Sequence, residues 1–140
     1  MKLTREIDIA RPLGDVFAYV CDESKLPEWR DGLESAERVG APGPNGGGRA
    51  KEVLRTPLGA QTTTVDITID PPGRLVFTVV EGMVKPIITL SFTPAGAGTH
   101  LVFAMEASTG FGPIAMITES YLKTTADKTV AKLKERLEAA

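Results

Sequence analysis

Few residues of this chain could carry chemistry, and their types narrow the chemistry quickly. His100 is its one histidine and Cys21 its one cysteine, so a Cys/His metal cluster or a serine–histidine triad would have to be built around His100 alone. His100 follows Gly98-Thr99 at the start of a strand-like run. That place reads as a rim or surface position, and neither a metal nor another cofactor is expected. A single cysteine excludes an intramolecular disulfide, and Cys21, closing an apolar helical stretch, reads as a small core residue rather than a redox thiol. Gly46-Gly47-Gly48 is followed by neither Lys-Ser nor Lys-Thr and sits at no strand-to-helix transition, so it reads as a loop and not as a phosphate cradle.

What remains is one hydroxyl, a few strand charges and a set of large apolar side chains. Tyr121, expected to face the sheet from the first turns of the last helix, could hydrogen-bond a ligand oxygen or move a proton, and is the candidate catalytic residue. Arg49, Glu52, Arg55 and Glu81 lie on strands whose inward face the pattern does not assign. Solvent exposure is the simpler reading of each, whereas an inward carboxylate in an apolar pocket would gain a raised pKa and act as acid or base. The ligand-binding candidates are Trp29, Phe77, Met83, Phe92, Phe103, Met105, Phe111, Met116, Ile117 and Tyr121. Any one of them is also ordinary core material. Taken together they point to an apolar ligand, with Phe111 and Met116 around the start of the long helix, where the mouth of a cavity would lie.

The elements that must position these residues are legible from periodicity. Residues 2 to 9 alternate, with Leu3, Ile7 and Ile9 on one face interrupted by Arg5. Pro12 suits a first helical position, and Val16, Phe17 and Val20 then form one buried stripe. Asp22 to Trp29 reads as a turn followed by a second short helix capped by Asp22 or Ser24, and 40–48 as an irregular loop. Leu33 to Val39, Arg49 to Thr56, Gln61 to Asp70, Arg74 to Glu81, Pro86 to Thr93 and Thr99 to Ala107 are six further strands. Their short connections predict antiparallel hairpins in a meander. Val65, Ile67 and Ile69, then Ile88, Leu90 and Phe92, then Leu101, Phe103 and Met105 mark a dry face. The strand from Arg74 to Glu81 is apolar on both faces. After Pro113 the repeat Tyr121, Leu122, Ala126, Val130, Leu133, Leu137 predicts an amphipathic helix of about 25 residues that covers that dry face.

With 140 residues, 42% hydrophobic and 24% charged, and a net charge of −2, the chain has the balance of a single globular domain spanning 1–140. The near-neutral charge argues against a nucleic-acid partner, and the lysines of the last helix alternate with acidic residues as on a solvated face. Alternating charges in Met1-Lys2-Leu3-Thr4-Arg5-Glu6 do not suit a signal peptide, and no run is long enough to span a membrane, so a cytoplasmic protein is expected.

Ile9-Ala10-Arg11-Pro12 with Val16-Phe17-Ala18-Tyr19-Val20, then Leu26-Pro27-Glu28-Trp29, Gly48-Arg49, Asp70-Pro71-Pro72-Gly73-Arg74-Leu75 and Gly96-Ala97-Gly98-Thr99-His100-Leu101 resemble, in order and spacing, the START-like or Bet v 1-like (SRPBCC) superfamily, in its polyketide cyclase/dehydrase branch. The resemblance covers the whole chain. It implies an α+β helix-grip fold: a seven-stranded antiparallel sheet around a long C-terminal helix, two short helices after the first strand, and a deep cavity between sheet and helix. Three functions stand on that basis. The first is binding of a hydrophobic small molecule, lipid, aromatic or polyketide-like, by a monomer or homodimer without stable membrane insertion. The alternative is a polyketide cyclase/dehydratase-type enzyme using Tyr121 and one inward charge. The third is a regulatory module whose cavity is filled.

Overall fold

The computed structural model describes residues 1–139. Its elements are β1 (Lys2–Ile9), α1 (Leu13–Cys21), a 3₁₀ turn (Glu23–Lys25), α2 (Leu26–Trp29), β2 (Leu33–Val39), β3 (Gly48–Thr56), β4 (Gly59–Asp70), β5 (Arg74–Glu81), β6 (Ile87–Ala95), β7 (Gly98–Glu106) and α3 (Gly112–Ala139). The seven strands form one antiparallel sheet in the order β1-β7-β6-β5-β4-β3-β2. The meander thus runs from β2 to β7, and β1 closes the other edge by pairing with β7. This is the helix-grip architecture.

Two local differences from the periodicity have simple causes. Pro12 caps α1 rather than entering it, with its carbonyl accepting from the Val16 N–H at 3.1 Å. β4 begins at Gly59 because Pro57 and Leu58 alone make the turn; the Thr56 hydroxyl accepts from the Leu58 N–H and donates to the Gly59 carbonyl. Asp22 does cap the turn that leads into α2, its carboxylate accepting from the Ser24 N–H at 3.0 Å.

The expected dry face is the inner one, and the ambiguous strand resolves with Leu75, Phe77 and Val79 inward. Bulges at Glu34 of β2 and Val80 of β5, where two residues pass opposite a single step of the partner strand, bend the sheet. The curved inner face receives Leu122, Ala126, Val130, Leu133 and Leu137 of α3. Cys21 packs half-buried against this core, and burial pushes its thiol up to about 11, so it stays protonated at neutral pH. Arg5, the polar interruption in β1, reaches α3 and pairs with Asp127 at 2.5 Å.

The C-terminal half of α3 is strapped to the rest of the chain. The Ala10 N–H donates to Glu138, Arg11 donates to the Leu137 carbonyl, and Lys134 donates to the Asp8 carbonyl. The Arg11 strap satisfies one orphan carbonyl of the helix end, and Arg11 and Lys134 place cations near its negative end. Its N-terminal half leans over the other end of the sheet and leaves Ile114, Met116 and Ile117 exposed, as is Phe111 just before the helix.

Candidate functional site

Beneath that open half of α3 lie two adjoining cavities. The outer one, of about 110 Å³, is bounded by the β3–β4 turn, the β5–β6 connection and the first turns of α3, with Leu58, Met83 and Ile117 at its mouth. The inner one, of about 80 Å³, lies between the sheet and the middle of α3, against Trp29, Arg30, Phe77, Phe103 and Met105. Leu54, Val79, Pro86, Tyr121 and Leu122 belong to both walls. These volumes are of the order of the ~150 Å³ apolar cavity that takes up a benzene ring.

The inner cavity carries a charged corner. Arg30 leaves α2 as its C-cap, and its guanidinium lies 4.5 Å from the centroid of the Phe77 ring and donates to Glu52 at 2.5 Å. Glu52 is completely buried, and its second oxygen, Oε1, has no hydrogen-bond partner. Neighbouring Trp29 is equally buried, tilted against Phe77 at 6.4 Å, and its Nε1 is also unpaired. Asp31 fixes the backbone that carries Arg30. Its N–H donates to the Thr129 hydroxyl at 3.1 Å, and its carboxylate accepts from Lys132 at 2.9 Å and from the Thr125 hydroxyl at 3.4 Å. Three contacts to α3 therefore hold this corner.

Tyr121 stands on the shared wall and donates its hydroxyl proton to the Arg55 carbonyl at 3.1 Å. Burial raises its pKa, against a smaller opposing effect of the Thr125 hydroxyl, so the phenol is protonated at neutral pH. Gly32, at φ +80°, makes room for this contact: an added Cβ would lie 3.1 Å from the Arg55 carbonyl oxygen and 3.5 Å from the Tyr121 hydroxyl.

The residues singled out from the sequence divide as follows. Trp29, Phe77, Phe103 and Met105 line the inner cavity, Met83 and Ile117 the outer one, and Tyr121 both. Phe92 is buried against Phe17, with ring centroids 6.0 Å apart, away from both cavities. Phe111 and Met116 are exposed and line neither. Among the strand charges only Glu52 points inward. Arg49 pairs with Asp66 on the outer face, Arg55 pairs with Glu34, and Glu81 is exposed. A signal for Glu52 was present in β3, where Arg49, Lys51 and Arg55 mark the outer face and leave Ala50, Glu52 and Leu54 on the inner one. Arg30 had only its place beside Trp29 to recommend it.

His100 lies on the outer surface between Asp8 and Glu6, whose hydrogen bonds raise its pKa, far from either cavity. Among the described residues no cluster of histidine, cysteine and carboxylate side chains could hold a metal ion, and no helix is long and apolar enough to cross a membrane.

Comparison with known proteins agrees with this fold. The sequence profile described as polyketide cyclase / dehydrase and lipid transport matches residues 1–138. The chain belongs to that family. No functionally curated protein matches the sequence. Among solved structures, it is similar to a START superfamily protein from Mycobacterium smegmatis, with 13% identity, a TM-score of 0.85, and 99% of this chain and 97% of the other covered. It is also similar to the aromatase/cyclase Zhui from a Streptomyces species, with 13% identity, a TM-score of 0.86, and 99% and 93% covered. Ara h 8.0201 aligns with 14% identity, a TM-score of 0.77, and 100% and 99% covered. At these identities the likeness concerns the fold.

Proposed function

We propose that this family member binds a small hydrophobic molecule, of about one ring, in the paired cavities under the N-terminal half of α3. The observation that carries this reading is the continuity of apolar lining from Leu58, Met83 and Ile117 at the mouth to Phe103 and Met105 inside. Burying an apolar ring there releases water from both surfaces, at roughly 25 cal/mol per Å². Met83 and Met105 can adapt to varied shapes. In this reading Tyr121 is a wall residue that holds the rim through Arg55; its proton is already donated, which argues against it as the first acid in a cyclase or dehydratase step.

Trp29 reports on the inner cavity because it is the only tryptophan. Titration with ethylbenzene or acetophenone is expected to shift its emission saturably. Val79→Phe, which fills the wall common to both cavities, should abolish the shift while a cooperative thermal transition persists. Wild-type protein that takes up neither probe would contradict the reading. Native mass spectrometry of freshly purified protein would identify a retained ligand directly.

A further inference from the structure

We propose that Arg30 is the specificity-determining residue of these cavities and selects a neutral, carbonyl-bearing ring over both a plain hydrocarbon and a carboxylate. The inference rests on the ligand-binding reading above and adds the chemistry of the ligand's polar end.

A guanidinium offers five N–H groups, and among the described residues Arg30 makes one hydrogen bond, from Nη1 to Glu52. Its other nitrogens are not among the buried unpaired atoms, while Arg30 itself lines the inner cavity. Spare donors are therefore not sealed off, and they belong to a side chain that walls the cavity. Phe77 below the guanidinium and the Asp31 contacts to α3 hold these donors in place, so little side-chain freedom is lost when a ligand oxygen accepts from them.

Charge then decides between kinds of oxygen. Glu52 already neutralises Arg30, and the side chains of this pair are 0% and 11% exposed. Asp31 adds a second carboxylate on the cavity wall, offset by Lys132. A carboxylate ligand would bring a third negative charge into a corner whose charges are balanced, and an unbalanced charge out of water is heavily penalised. A ketone, ester or quinone oxygen accepts the spare N–H groups and leaves the balance intact. A hydrocarbon gains no hydrogen bond there.

Three probes of nearly equal size separate these cases: ethylbenzene, acetophenone and benzoate, with affinities measured by titration calorimetry. Acetophenone is expected to bind wild-type protein about tenfold more tightly than ethylbenzene, the ratio set by one hydrogen bond to a charged donor, and more tightly than benzoate at neutral pH. Arg30→Met alone would leave Glu52 buried and unpaired, so the variant of choice is Arg30→Met with Glu52→Leu, which removes both charges at similar volume. In that variant the two neutral probes should bind equally well. Equal affinity of wild-type protein for ethylbenzene and acetophenone would overturn the role of Arg30 while leaving the cavity reading standing. Tightest binding of benzoate would overturn the selection for neutral ligands. Binding of none of the three would instead remove the cavity reading itself. The wild-type series decides these outcomes even if the double variant does not fold.

Discussion

The two halves of α3 face the same sheet under opposite conditions. The C-terminal half buries Val130, Leu133 and Leu137 and is tied down by Arg5, Arg11, Lys134 and Glu138. The N-terminal half is held by Tyr121, Glu119 and Thr125, to the Arg55 carbonyl, the Thr109 hydroxyl and the Asp31 carboxylate, and packs Leu122 while also covering the cavities. One helix thus combines an anchor with a cover. The packing that holds the fold is concentrated at one end of the helix, and the accessible apolar surface at the other.

Stability should depend most on the ion pair that lies where the two halves meet. Arg30→Met alone should lower stability by about 3–5 kcal/mol, because it strands the buried Glu52 charge, and adding Glu52→Leu should restore much of that loss. Denaturant titration of the single and double variants checks this; equal losses in both would mean that the ion pair itself supplies the stability.

Leu133→Ala, at the anchored end, comes next. The side chain is 0% exposed, and its truncation should cost about 2–5 kcal/mol. Ile117→Ala, at the same helix's open end, should cost less than about 0.5 kcal/mol yet weaken ligand uptake at the mouth. Thermal unfolding with calorimetric titration distinguishes the two, and similar losses of stability would erase the contrast between the halves.

The smallest effect belongs to His100, which links β7 to Asp8 and Glu6 of β1 beside the anchored end. Hydrogen bonds to Asp8 and then Glu6 raise its pKa above the ordinary 6.5. A raised folded-state pKa means that the charged form stabilises the fold below the unfolded value, and this contribution fades as pH rises through the folded value. His100→Gln should therefore flatten the dependence of thermal midpoint on pH above about 6.5, with little change at high pH. An unchanged pH profile would remove His100 from the account.

The legibility of these features from sequence follows their physical kind. Strand order, the dry face and the stripe of α3 rest on periods of 2 and 3.6, which apolar residues display directly. Even Arg5, which breaks the stripe of β1, signals its partner only through Asp127, 122 positions away. The anchored end is therefore mostly readable. The open end is less so, because an aromatic or methionine that lines a cavity and one that fills a core obey the same pattern; Phe103 and Phe92 both alternate inward, and only three-dimensional packing separates them. Glu52 was within reach through the outward charges around it, whereas the direction of Arg30 depends on the turn at Gly32 and on the grip of Asp31 on α3.

Amide hydrogen exchange along α3, with and without saturating acetophenone, probes the division of the helix into an anchored end and an open end. Free protein is expected to show fast exchange from 113 to 121 and strong protection from 126 to 137, in keeping with the unequal packing of the two halves. The ligand should slow exchange in the first segment and in the β5–β6 connection, and leave the second unchanged. Uniform protection along the helix, or ligand-induced protection confined to the segment around Leu133, would contradict it.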